Sequence, residues 1–203
     1  MNLTPIPLSA ATMLALAVPL ASGCAPPARH RAEPALAGLA EFEATLAAHD
    51  SATLALEDWC ARGAIAPVAQ VSATLVEAQV SARAGPATPH GLRAQLGAAA
   101  GEPLGFRHVR LDCGGVVLSE AFNWYRPALL TPEMNRALDG TRIPFGKIAA
   151  PLAYRRELIE ARHGAAEGCP PGVVLSHRAQ LRLPDGRPLA LLVECYTGAN
   201  LGR

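Results

Sequence analysis

Four ionisable side chains stand where the sequence pattern asks for apolar ones. In "LALLVECYTGANL", residues 189 to 201, strand alternation puts Ala190, Leu192, Glu194 and Tyr196 on one face and Leu189, Leu191, Val193 and Cys195 on the other, so Glu194 is expected in apolar surroundings. A carboxylate taken from water without a partner is costly or takes up a proton, so Glu194 needs a cation, donors or a ligand. In "FRHVRLD", residues 106 to 112, Arg107 shares its face with Val109 and Leu111, while His108, Arg110 and Asp112 make the other face polar. Its fixed charge and planar fork of donors suit a buried carboxylate. By the same alternation Glu120 falls with Leu118, Phe122 and Trp124, and His177 with Leu175, Ala179 and Leu181. Two arrangements fit this pattern. One is a structural network in which Arg107 pairs with Glu194 or Glu120 and His177 bonds a backbone carbonyl. The other is a closed pocket with a cation at one end and a carboxylate at the other, which would bind a small molecule bearing a carboxylate and a hydroxyl.

The elements that must position these residues follow from periodicity and punctuation. "PALAGLAEFEATLAAH" and "DSATLALEDWCARG" read as two helices, the second with Asp50 or Ser51 as N-cap and Gly63 as its stop. "PVAQVSATLVEAQV", residues 67 to 80, reads as a strand, and "LRAQLGAAAG" as a short helix or a loop. "GFRHVRLDCGGVVLSEAFNWY" gives two strands joined at Gly114 and Gly115 as a hairpin. "LTPEMNRALDG" is a short helix with Thr131 as N-cap, Pro132 in its first turn and Gly140 after its end. "TRIPFGKIAAPL" is a loop, "AYRRELIEARHG" reads as a helix, and "GVVLSHRAQLRLPDGRPLALLVECYT" is a second hairpin turning at "PDG". This order predicts a single α+β domain built on a mainly antiparallel sheet.

The chain has 203 residues, half of them hydrophobic, which is enough for one domain with a sizeable core. With 18 basic and 17 acidic residues it has a formal charge of +1 and no basic run, so nothing marks it for nucleic acid. No apolar run in the body of the chain approaches the ~20 residues of a spanning helix. The histidines and cysteines show no ligand spacing, so no metal is expected. Cys60, Cys113, Cys169 and Cys195 permit three pairings in an oxidising compartment, and spacing does not choose among them.

The N-terminus differs in kind. "AATMLALAVPLASGC", residues 10 to 24, resembles a bacterial lipoprotein signal, with Ala21, Ser22 and Gly23 before a lipidated Cys24, although "MNLTPIPLS" carries no Lys or Arg. This divides the chain into a signal over 1–23, a Pro and Ala tether over 24–34 and a domain over 35–203. It predicts an exported protein on the periplasmic face, with membrane contact only through the lipid anchor. A cytoplasmic location is the alternative if the signal is not used.

The runs "FRHVRLDCGGVVLSEAFNWYRP", "LTPEMNRALDGTRIPFGKI", "RRELIE" and "GRPLALLVECY" together resemble the chorismate lyase (chorismate pyruvate-lyase) family, in the same order from about Asp50 to Tyr196. The resemblance implies an α+β domain with about six antiparallel strands, its ligand enclosed beneath helical flaps. It implies a monomer that converts chorismate to 4-hydroxybenzoate and pyruvate without a cofactor. In that pattern Arg107 grips the ring carboxylate and Glu194 lies at the hydroxyl end as general acid. "PFG" at Pro144, Phe145 and Gly146 supplies backbone donors, with Phe145 where the family has Leu, and Glu120 and His177 are further candidates for substrate binding. An exported signal would separate such an enzyme from its cytoplasmic substrate. The alternative expectation is therefore a non-catalytic exported binder of hydroxybenzoate-like aromatic acids.

Overall fold

In the computed structural model the described residues are Met1, 32–79 and 88–202. Six strands form one antiparallel sheet: β1 (Val71–Gln79), β2 (Gly105–Cys113), β3 (Val116–Tyr125), β4 (Arg155–His163), β5 (Val173–Arg182) and β6 (Pro188–Thr197). Their order across the sheet is β1-β2-β3-β6-β5-β4, so two hairpins meet through β3 and β6. This is the α+β, chorismate lyase-like architecture that the sequence predicts. The β2–β3 hairpin turns at Gly114 and Gly115, whose φ values of 59° and 86° are left-handed and favour glycine. The signal over 1–23 and the proposed lipidation site Cys24 lie outside the described residues.

Helices α1 (Ala32–Ala47) and α2 (Ala52–Arg62) pack on one face of the sheet, here called the inner face. Phe42, Leu46 and Leu56 are buried against Val109, Leu111, Ala121 and Tyr196. Each such side chain contributes about 1.5–3 kcal/mol by leaving water. Helices α4 (Pro132–Gly140) and α5 (Phe145–Ala149) cover the rest of this face, where Leu138, Phe145 and Ile148 meet Tyr125, Leu181 and Leu192. Thr131 caps α4 as expected, its hydroxyl accepting from the Met134 amide at 3.2 Å. On the outer face Phe122, Trp124, Leu191 and Val193 pack under Leu96 and Leu104, beside the short helix α3 (Leu92–Gln95).

One expected element changes type. Residues 155–163, "RRELIEARH", form the edge strand β4 rather than a helix. Their helix propensity is high but is overridden by the ladder that β5 offers, and their charges are the kind that keep an exposed edge from pairing further. The four domain cysteines form two disulfides. Cys60–Cys113 ties α2 to the end of β2, and Cys169–Cys195 ties the β4–β5 connection to β6.

Candidate ligand-binding site

The register assigns each candidate to a face. Across the sheet, Val109, Ala121, Glu194 and His177 lie in one row, and Arg107, Asn123, Leu192 and Ala179 in the next, all on the inner face. Arg107, His177 and Glu194 thus share a surface, as alternation predicts. Glu120 does not. It belongs to the outer row with Cys195, where it accepts from His108 at 2.7 Å and from Arg110 at 3.1 Å. A register shift between Leu111 and Asp112 breaks the alternation just before it, and Leu118 accordingly packs with the inner-face cluster.

The partner of Glu194 is a residue that sequence reasoning missed. Arg156, carried by β4, donates to Glu194 Oε2 at 2.5 Å, and the Tyr196 hydroxyl donates to the same oxygen at 3.0 Å. Arg156 also approaches His177 Nδ1 at 3.1 Å. Glu194 and His177 are 3% and 4% exposed. Burial works against the Arg156 charge, but Glu194 outweighs it and pushes the pKa up. Burial, reinforced by the nearby Glu194 charge, pushes Tyr196 well up. His177 is pulled down by burial and by Arg156, against Glu194. Glu194 thus accepts hydrogen bonds from a guanidinium and a phenol, an internal network that the family resemblance did not include.

Arg107 has no such partner. Only 1% exposed, it donates to two backbone carbonyls, Nη1 to Ile143 at 2.9 Å and Nη2 to Thr141 at 2.8 Å, while its Nε has no acceptor. Pairing with Glu194 or Glu120 does not occur. Burial draws its pKa down, opposed by the more distant Tyr125 and Asp139. Beside it in the register stands Asn123, 5% exposed, whose amide makes no hydrogen bond among the described residues.

Asn123 opens into a cavity of about 40 Å³ between the sheet and the segments that carry Ser51–Thr53 and Pro144–Gly146. Val109, Leu111, Ala121, Leu181 and Leu192 make its apolar floor, and Arg156 and Glu194 its charged end. Phe145 and Gly146 line it as expected. Gly146 is required there, since a Cβ would lie 2.5 Å from Ser51 Oγ and 3.0 Å from the Tyr154 hydroxyl. Ser51 occupies the N-cap position of α2, yet its buried hydroxyl does not cap the helix and lies instead beside the Tyr154 hydroxyl. The Tyr154 hydroxyl donates to the Gly146 carbonyl at 3.1 Å, and burial raises its pKa. The cavity has room for a few waters, whereas drug-sized ligands occupy about 300–1,000 Å³, so an organic ligand needs the cavity to widen. Among the described residues no group of three His, Cys, Asp or Glu side chains is placed to hold a metal ion.

Comparisons with known proteins bear on what this arrangement does. No family model matches the chain. Over 181 residues it is 39% identical to the uncharacterized protein y4mC of Sinorhizobium fredii, covering 80% of this chain and 75% of that one. Among solved structures it superposes on PhnF of Mycobacterium smegmatis with a TM-score of 0.52 and 15% identity, over 75% of this chain and 65% of that chain. On the separate effector domain of the same PhnF the TM-score is 0.51 with 15% identity, over 74% of this chain and 90% of that domain. A GntR-family transcriptional regulator of Enterococcus faecalis matches at 0.45 with 11% identity, over 64% and 95%. The two PhnF likenesses establish the fold. They also correct the reading as a chorismate lyase, and the alternative of an exported binder of hydroxybenzoate-like acids: the structures that share the fold are PhnF and its effector domain, and nothing in them supports chorismate chemistry, an export signal or a lipid anchor.

Proposed function

The chain belongs to the family of the uncharacterized protein y4mC of Sinorhizobium fredii, and we propose that it is a small-molecule-binding domain that takes up a small organic anion on its inner face. Arg107 is the cation for that anion, Asn123 and Ser51 are its neutral polar partners, and the apolar floor takes its carbon skeleton. One observation carries this reading: a fully buried guanidinium satisfied by two neutral carbonyls and no carboxylate. Leaving water costs a charge several kcal/mol, and carbonyl dipoles offset that less completely than an anion does. An anion that displaced the Thr141 and Ile143 carbonyls would gain a bidentate pair at a desolvated site. The name effector domain on a structure of the same fold supports ligand binding as this domain's task. The two disulfides support an oxidising compartment, because such bonds are rarely kept under reducing conditions.

The test is thermal denaturation of the full chain in the presence of short monocarboxylates, acetate through hexanoate. A ligand at 100 times its Kd adds about 2.7 kcal/mol, which moves a domain of this size by several degrees. At least one acid is expected to raise Tm in the wild type and to leave Arg107→Gln unmoved. If none does, or if the shift survives Arg107→Gln, the inner face is not an anion site.

A further inference from the structure

The outer face carries a larger opening than the inner one. A cleft of about 320 Å³ lies between the β4–β5 edge, the turn at 164–167 and residues 88–90, with Ser176 and Val193 on its floor. Two guanidiniums, Arg162 and Arg178, converge there on one carboxylate. Glu160 Oε1 stands 3.6 Å from Arg162 Nη2, and Glu160 Oε2 stands 3.8 Å from Arg178 Nη2. Both separations exceed a hydrogen bond, so the donors of the two arginines are held near a charge without being bonded to it. The Nε of Arg178 is buried with no acceptor. The two guanidiniums together carry more donors than Glu160 engages, and His90 lines the opposite wall. Glu167 also reaches the cleft, as an exposed residue, so the two arginines and two glutamates balance in formal charge, and it is the unengaged guanidinium donors that an anion would meet.

We propose that this cleft is a second ligand site, separate from the inner face, and that it takes the phosphate group of a small molecule. A phosphate carries about 1.5 to 2 negative charges near neutrality and three acceptor oxygens, so it matches two guanidinium forks where the single Glu160 carboxylate does not. Glu160 is the internal placeholder that the phosphate displaces. The Cys169–Cys195 disulfide fixes the turn that forms one wall, and Ser176 Oγ ties the same turn down by accepting from the Ala166 amide at 2.8 Å. The site is therefore preformed, unlike the inner cavity. Strand β5 also serves both faces, since Ser176 and Arg178 look into the cleft while His177 between them looks into the Glu194 and Arg156 network.

The test is a titration of the full chain with inorganic phosphate and with glycerol phosphate at constant ionic strength, followed by backbone amide shifts of Ser176, Arg178 and Val193. Saturable shifts are expected at these amides. Arg178→Gln should weaken them about tenfold or more, and Glu160→Gln should strengthen binding about twofold to fivefold by removing the competitor. Arg107→Gln should leave them unchanged, which separates this site from the inner one. No saturable shift with either probe, a shift indifferent to Arg178→Gln, or weaker binding in Glu160→Gln would each overturn the proposal. Melting curves show that each variant is folded.

Discussion

Two arginines are buried on the same face of the same sheet and are treated in opposite ways. Arg156 meets a carboxylate at 2.5 Å and sits in a network with Tyr196 and His177. Arg107, at least as buried, meets only carbonyl oxygens among the described residues and stands next to an asparagine that bonds none of them. Both ions were taken from water at a cost of several kcal/mol. Around Arg156 the protein supplies its own counter-ion, and an outside anion would have to evict Glu194 to gain anything. Around Arg107 the compensating groups belong to one loop, residues 141–143, whose release frees both donors together. A buried charge therefore marks a ligand site when its counter-charge is missing, and a structural node when it is present.

The largest effect that separates the two regions is on stability. Arg156→Met leaves Glu194 buried with one phenol for a partner, and breaking a buried pair in this way costs about 3–5 kcal/mol. The double variant Arg156→Met with Glu194→Gln should regain most of that loss in urea denaturation, because the uncompensated charge is gone. Arg107→Met removes a lone cation and leaves two carbonyls unpaired, opposing changes that should net to only about 1–2 kcal/mol. Equal losses at the two positions would break the comparison and make Arg107 a structural node like Arg156. A smaller loss at Arg107, combined with complete loss of carboxylate binding, would sharpen it.

How much of this was legible in the sequence differs between the fold and the site. The hairpin at Gly114 and Gly115 and the helix between Thr131 and Gly140 carry local signals, since left-handed turns and caps are chosen by the residues that form them. Alternation along single strands also placed Arg107, His177 and Glu194 inward. What alternation lacks is the register between strands. It could not show that Glu120 looks the other way after the shift at Leu111 and Asp112, nor that Arg107 stands beside Asn123 instead of a carboxylate. The partner of Glu194 was hidden for a different reason. "RRELIEARH" has helical character, and only the ladder to β5 makes it a strand that delivers Arg156 inward. Ser51 was read as an N-cap, and the failure of that hydroxyl to cap shows only in three dimensions.

The smallest effect is a pH dependence confined to the compensated region. His177 is faced by Glu194 from β6, Arg156 from β4, Tyr196 from β6 and, farther off, Glu43 from α1. Burial and Arg156 hold its folded pKa below the ordinary value of about 6.5. Below that pH the unfolded chain takes up a proton that the folded network refuses, so the unfolded state binds more protons and stability falls with pH. The contribution is fully present above about pH 6.5 and declines below it, by at most about 1.4 kcal/mol per pH unit. Wild type should therefore lose more Tm than His177→Gln between about pH 7.5 and 5.5, whereas Arg107→Met should follow the wild-type profile. If His177→Gln kept the full slope, the proton uptake would lie elsewhere and His177 would be a spectator beside Arg156. If Arg107→Met flattened the slope, the two regions would share one electrostatic network, and the separation drawn between them would fail.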